Sequence, residues 1–297
     1  MTGVLVTGGT GKTGRTLTEL LRGSGVPVRV ATRTPSEGDP EAVRFDWDDP
    51  ASHTAALRGM DRVYLVPPPL TTDPLPQVGP FLAEAERAGV RRVVLLGSAI
   101  VLPNAPGALE LAAQVRARPG WAVLRASGFM QNFLAPHPMG ERIRRHGEIR
   151  TAAGDGRVGW IDARDIAAAA AALLTDPDLH PDDDARTRSD HLLTGPKALS
   201  YRDAATIISA QTGRPVRVQL VGVDEAARGL RASGIPALLA DALAAVDARL
   251  GAGQEDQVST AVLDLTGRPP RTFAEFVRDH ATEWVDPGAP EGRPRHP

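Results

Sequence analysis

The chain has 297 residues, 42% hydrophobic and 24% charged, with a formal net charge of -2; it can bury a large core as one large domain or two small ones, and its charge gives no reason to bind nucleic acid. It has no cysteine, which excludes disulfides, iron–sulfur clusters, thiolate zinc sites and cysteine nucleophiles. No apolar run reaches membrane-spanning length and no signal-peptide pattern opens the chain, so a cytoplasmic setting is expected.

Residues 3–7 predict a short apolar strand, followed by a glycine-rich turn and a helix over 16–21. Gly25 ends that helix, and 27–32 reads as a second strand. A short third strand falls at 43–45, a helix at 52–57 and a fourth strand at 62–66, stopped by Pro67-Pro68-Pro69, which cannot continue a ladder. A helix at 81–88 ends on Gly89, and a fifth strand at 92–96 closes on Gly97-Ser98. A helix at 110–117 and a sixth strand at 121–125 complete the series. Alternating helices and continuous apolar strands are the pattern of a parallel sheet covered on both faces, and right-handed crossovers make it doubly wound.

After Gly128 the rhythm breaks. Residues 129–160 mix Pro, Gly and charge and read as an excursion towards the substrate site. An Ala-rich helix follows at 164–174, an acidic loop at 176–184 and a strand at 191–194. A Ser-capped helix at 200–212, a strand at 216–218 and helices at 224–231, 236–250 and 273–282 lie beyond. The predicted fold class is α/β, a doubly wound parallel Rossmann sheet with a smaller C-terminal α/β substrate lobe. The expected division is a nucleotide-binding domain over 1–195, a small lobe over 196–285 and a tail over 286–297 too poor in apolar residues to pack.

The stretch VTGGTGKTG at 6–14 contains GKT, the end of an ATPase phosphate loop. That loop needs a glycine five residues before Gly11, where this chain has Val6. Gly8, Gly11 and Gly14 instead have the spacing of a Rossmann turn, between a strand and a helix. The predicted nucleotide contacts are therefore Gly8, Thr10, Gly11, Lys12, Thr13 and Gly14. Lys12 either adds a phosphate contact or faces solvent.

The end of the second strand chooses the dinucleotide. It reads Ala31-Thr32-Arg33, and no acid follows until Glu37. Arg33 is placed to pair with a 2′-phosphate and to stack on adenine, so NADP(H) is the expected cofactor; a solvated arginine is the competing reading. Asp46-Trp47 follow the third strand, where a carboxylate can accept from the adenine amino group or cap a helix. Val66, Pro67 and Pro68, after strand four, should run beside the cofactor ribose.

Four segments together resemble the NmrA-like, atypical short-chain dehydrogenase/reductase family. They are TGGTGKTG at 7–14, ATR at 31–33, RRVVLLGSA at 91–99 and WAVLRASGFMQNF at 121–133. Asp165-Ile166-Ala167 and Leu193-Thr194-Gly195-Pro196 also match, so the resemblance covers nearly the whole chain. The glycine turn and LR-x-x-x-FM-x-N are especially similar to the branch containing agroclavine dehydrogenase-like, ergot-alkaloid-type reductases. The resemblance implies a Rossmann lobe, a small C-terminal lobe and a substrate between them. The family includes NADPH-dependent reductases and members that only sense nucleotide.

One departure bears on the chemistry. Short-chain dehydrogenases usually pass a proton through Tyr-x-x-x-Lys. This chain has two tyrosines; Tyr64 is followed four later by Pro68 and Tyr201 by Ala205. The isoflavone-reductase-type lysine is missing from 107–114 as well. Reducing a ketone creates an alkoxide that must be protonated, whereas reducing an iminium creates a neutral amine. A quinone yields a delocalised anion that water can protonate. The expectation is thus an NADPH-dependent reductase of a small hydrophobic cyclic imine, iminium or quinone-like metabolite. The alternatives are a non-catalytic NADP(H) sensor and a non-redox cyclase or isomerase. A small-molecule substrate, no nucleic acid or membrane partner, and a monomer or homodimer complete the reading.

Ser98, at the carboxyl edge of the sheet, either hydrogen-bonds substrate as the candidate catalytic group or caps the next segment. Phe129, Met130, Asn132 and Phe133 are expected to border the nicotinamide and the substrate pocket, although the i,i+4 spacing of Phe129 and Phe133 also suits a core pair. His137 and His146 could supply a proton or simply lie at the surface. Asp162 and Asp165 flank Arg164 as a structural acid pair at a helix start. The acidic loop lacks the glycine and terminal Glu of a calcium loop, so no metal is expected.

Overall fold

A computed structural model describes residues 3–103, 105–176, 179, 189–253 and 256–284. Strand β1 (Val4–Val6) enters the glycine turn and helix α1 (Gly14–Gly23), and β2 (Val28–Thr32) returns beside it. The alternation continues through β3 (Ala42–Arg44), α2 (Ala51–Leu57), β4 (Arg62–Leu65), α3 (Leu75–Arg87), β5 (Arg92–Ser98), α4 (Gly107–Arg116) and β6 (Ala122–Ala126). A 3-10 turn (Met130–Phe133), α5 (Pro138–His146), β7 (Glu148–Thr151) and β8 (Arg157–Val158) lead to α6 (Ala163–Thr175) and β9 (Asp190–Leu193). Beyond them lie β10 (Leu199–Ser200), α7 (Tyr201–Thr212), β11 (Arg217–Leu220), α8 (Val223–Ala232), α9 (Ala237–Leu250), α10 (Ala261–Thr266) and α11 (Phe273–Asp279).

Seven strands form one sheet in the order β3-β2-β1-β4-β5-β6-β9, and every neighbouring pair is parallel. Parallel strands place all their carboxyl ends on one edge. The strand order reverses between β1 and β4, which opens the crevice where doubly wound folds hold ligands. The period-2 alternation divides the core into two layers. Val4 and Val6 point into a layer with Leu17 and Leu21 of α1 and Ile166, Ala170 and Leu173 of α6. Leu5, Val63, Leu65 and Val93 point the other way, onto Leu57, Phe81, Leu82 and Val115.

A third apolar cluster unites the segment after β6 with the later helices. It contains Met130, Phe133, Trp160, Tyr201, Ile208, Phe273, Phe276 and Trp284. Two small sheets stitch these parts together: β7 pairs with β11 and β8 with β10. Helix α7 starts on a capping box, Ser200 with Asp203, as the Ser-capped reading requires.

Helices α3 and α10 depart from expectation. Helix α3 begins at Leu75 and carries Pro80 inside it, ahead of the expected residue 81. Pro76 sits in its first turn, where a missing N–H costs nothing, and Val78 and Phe81 are fully buried. Helix α10 has no counterpart in the sequence reading. It is short, has no side-chain cap, and is held by Val262 buried against the α6 layer. The acidic loop, apart from Asp176 and Leu179, and the tail from 286 lie outside the described residues. Among the described residues no helix is long and apolar enough to cross a membrane.

Candidate nucleotide and substrate site

The glycine turn is built so that backbone, not side chain, faces the crevice. Gly8 has φ +62°, and a Cβ there would lie 3.1 Å from the Cβ of Val66. At Gly14 a Cβ would meet the Gly8 carbonyl oxygen at 2.3 Å, so the first turn of α1 packs directly on the loop. Gly9, which the sequence reading passed over, is as tight: its Cβ would reach Val30 Cγ1 at 2.5 Å. The Gly11 amide closes the turn on the Gly8 carbonyl at 2.9 Å. No acidic residue occupies the first turn of α1, so its positive end is left for an anion. This cradle fits a dinucleotide diphosphate.

Buried hydrogen bonds fix the turn to β4. Thr7 Oγ1 donates to the Tyr64 carbonyl at 3.1 Å and accepts from the Val66 amide at 2.7 Å. The Tyr64 hydroxyl donates to Thr13 Oγ1 at 2.9 Å. Tyr64 is fully buried, and desolvation pushes its phenol pKa well up. It is a structural tyrosine, remote from proton transfer at neutral pH.

Arg33, directly after β2, is exposed. Asp46 accepts from the Asp48 amide at 3.1 Å, a local turn contact, and its amide donates to Ser52 Oγ at 3.0 Å. Trp47 packs edge-on against Phe45 at 4.8 Å and Phe81 at 5.4 Å. Its indole is therefore part of the aromatic support beneath the third strand. Thr10 and Lys12 are exposed on the turn, whereas Thr13 is buried.

The Lys12 ammonium donates to Asn132 Oδ1 at 3.3 Å, joining the glycine turn to the segment after β6. The side chain is exposed in the crevice, yet the surrounding walls desolvate it enough to lower its pKa. His137 lies nearby as the N-cap of α5, its ring accepting from the Met139 amide at 3.3 Å. Burial, and secondly the Lys12 charge, push His137 down to about 4. It is neutral at physiological pH, which removes it as an imidazolium proton donor. His146 stands exposed at the end of α5, away from the cavity wall.

Beside this crevice lies a cavity of about 710 Å³. Pro67, Pro68, Ser98, Phe129, Asn132 and His137 line the sheet side. Trp160, Tyr201, Leu230, Leu243 and Asp247 line the opposite side. Ser98 closes a tight turn: its hydroxyl donates to the Ile100 carbonyl at 2.9 Å and accepts from the Ile100 amide at 3.0 Å. The capping geometry is thus present at a residue that also borders the cavity.

Met130 and Phe133 depart from the expected pocket wall. Phe133 is fully buried, with ring contacts at 5.0 Å to Trp160 and 4.9 Å to Phe273. Met130 is buried in the same cluster. A 3-10 turn distributes the four residues around its axis, so Asn132 faces the cleft while Met130 and Phe133 enter the core. Gln131 holds that turn in place: its amide donates to Asp162 Oδ1 at 3.0 Å and its oxygen accepts from the Ala163 amide at 3.0 Å. Asp162 also caps α6 and pairs with Arg164 at 2.6 Å, and Arg164 reaches Asp279 at 2.7 Å. Asp165 accepts from the Arg271 amide at 2.8 Å. These acids anchor the later helices to the sheet.

Tyr201 and Asp247 line the cavity without having been expected there. Tyr201 begins α7, and Asp247 interrupts the apolar run of α9; neither carries a motif that marks a cavity.

Comparison with known proteins places this geometry in a family. The family model described as NAD(P)H-binding matches residues 8–177. An uncharacterised oxidoreductase, YesF of Bacillus subtilis, is 41% identical, with 95% of this chain and 96% of that protein covered. Agroclavine dehydrogenase of Claviceps fusiformis is 36% identical, over 95% of this chain and 98% of the relative. The structure of an Escherichia coli NADPH-dependent quinone oxidoreductase complexed with NADPH superposes with TM-score 0.79 at 25% identity, covering 93% of this chain and 99% of that one. The match of a glycine cradle, sheet order and near full-length relatives shows that this chain belongs to the NAD(P)H-binding, NmrA-like family of oxidoreductases and uses a nicotinamide dinucleotide.

Proposed function

We propose that the protein is an NADPH-dependent reductase of a small hydrophobic cyclic imine, iminium or quinone-like molecule. The observation that carries this reading is the cavity itself. It reaches the carboxyl ends of β5 and β6 at Ser98 and Phe129, and burial moves the tyrosine and the histidine on its wall, Tyr201 and His137, away from neutral pKa. Tyr64 and Tyr201 are pushed up by burial, and His137 is pushed down to about 4. A site so arranged suits acceptors whose reduction needs no protein acid.

In this reading Gly8, Gly11 and Gly14 admit the diphosphate, and Thr10, Lys12 and Thr13 surround it. Arg33 takes the 2′-phosphate, with Asp46 and Trp47 near the adenine. Val66, Pro67 and Pro68 border the ribose, as their place at the end of β4 suggests. Bound NADPH supplies the hydride. Phe129 and Asn132 hold the acceptor against the sheet edge, and the apolar wall excludes water. Ser98 orients the acceptor through whatever hydrogen-bonding capacity its turn leaves free.

The test is NADPH oxidation with a cyclic iminium, a quinone and a simple ketone. The iminium and quinone should turn over, with the ketone slower by about a hundredfold or more in kcat/KM. Efficient ketone reduction overturns the acid-free mechanism. Tight NADPH binding without turnover of any acceptor favours a nucleotide sensor, and product formation without NADPH consumption a cyclase or isomerase.

A further inference from the structure

Asp247 stands on α9 with its carboxylate at the cavity wall. Its neighbours are neutral donors: Thr151 Oγ1 at 2.7 Å, the Ala152 amide, and the Tyr201 phenol. Every one donates to it, the arrangement of an ionised acceptor. Burial works against that by raising its pKa, and its charge in turn raises that of Tyr201.

The cavity's arginines are differently placed. Arg116 and Arg125 share Asp190, while Arg142 and Arg150 share Glu148, and Arg150 also reaches Glu225. Each positive charge on the wall already has a carboxylate. Among the described residues Asp247 has no cation within ion-pairing distance, and the groups that meet its carboxylate are neutral donors, whereas each of the wall's arginines touches a carboxylate. Partial burial weakens screening of the Asp247 charge by solvent and salt.

We propose that Asp247 is a specificity-determining residue that makes the cavity select acceptors carrying a delocalised positive charge, such as aromatic iminium ions, over neutral quinone-like acceptors of the same shape. The inference rests on the reductase reading of this cavity and narrows it. Hydride addition to a cationic ring takes two electrons and one hydrogen nucleus from NADPH, leaves a neutral amine and NADP+, and requires no further proton.

The test uses one tricyclic ring system in two forms, N-methylacridinium and acridine, which differ by a methyl group and a positive charge, titrated by calorimetry into the NADP+ complex at about pH 8, where acridine is neutral. The wild type should bind the cation about tenfold or more tightly than the neutral ring. Asp247→Asn should erase that preference and leave acridine affinity and melting temperature close to wild type. Leu243→Lys, one turn back on α9 and on the same wall, places a cation beside an intact Asp247 and should erase the preference as well. Equal affinities in the wild type, or a preference that survives both variants, overturns the proposal. Reduction of N-methylacridinium by NADPH is read separately. Asp247-dependent binding without reduction keeps the charge selection and removes the reductase; reduction with no Asp247 dependence does the reverse.

Discussion

Lys12 and Asn132 meet across the nucleotide crevice although 120 residues separate them, the ammonium donating to the side-chain oxygen at 3.3 Å. The bond is exposed, so a phosphate can replace Asn132 as the partner of Lys12 at small cost. Lys12→Ala should therefore weaken NADPH and NADH by a similar factor, about tenfold, because both share the diphosphate. Arg33→Ala should weaken NADPH by about tenfold or more and change NADH by less than about twofold. Calorimetry of NADPH and NADH with the wild type and both variants separates the two roles. Equal losses for both variants would place both side chains on the common diphosphate.

Gly14→Ala should be among the most damaging substitutions of the turn. Its Cβ would meet backbone at 2.3 Å from Gly8 O and 2.8 Å from Gly9 Cα, and backbone on both sides cannot yield. We expect a loss of about 2–4 kcal/mol in urea unfolding, together with loss of nucleotide binding. Gly11→Ala meets only Gly8 O, at 3.1 Å, and should unfold close to wild type. Equal stability of the two variants would show that the turn can relax.

Phe129 and Phe133 lie four residues apart and divide the labour. Phe133→Ala empties the centre of the third cluster and should cost about 3–5 kcal/mol. Phe129 is half-buried at the cavity wall, so Phe129→Leu should change KM for the acceptor while leaving the melting temperature nearly unchanged. Thermal unfolding and steady-state kinetics on both variants check the division. A KM change without destabilisation in Phe133→Ala would reverse the assignment.

His137 sets a pH dependence whose sign is fixed. Its ordinary pKa is 6.5 and its folded pKa about 4, lowered by burial and by Lys12. Between those values the unfolded chain binds the proton and the folded one does not. Stability contributed by the neutral ring is present above about 6.5 and falls as pH drops towards about 4, by at most about 1.4 kcal/mol per pH unit. His137 is only partly buried, so solvent screening reduces that slope. In the absence of nucleotide, the stability difference between wild type and His137→Gln should shrink or reverse across this window. A difference flat from pH 4 to 7 would show that the ring is solvated in the folded state.

Much of the fold is legible in short stretches because the governing forces are local. The apolar strands at 3–7, 62–66 and 92–96 read directly, since residues buried on both faces leave no polar alternation. Gly8 and Gly14 read directly because the turn needs a positive φ at the first and direct contact with its own backbone at the second. Ser200 and the start of α7 read directly because a capping box lies within four residues. Helix α3 did not, because Pro80 signals a break that burial of Val78 and Phe81 overrides.

The amino-acid sequence by itself determined the parallel sheet, the dinucleotide turn and the absence of a Tyr-x-x-x-Lys pair. Only the tertiary structure decided which side chains see the cavity. The rotation of a single 3-10 turn, locked by Gln131 on Asp162, sends Phe133 inward and Asn132 outward. The approach of α9 to β7 and α7 puts Asp247 beside Thr151 and Tyr201, residues far from it in the chain. Such contacts are long-range: they depend on how elements dock, and docking is set by the summed burial of whole faces rather than by any neighbouring residues.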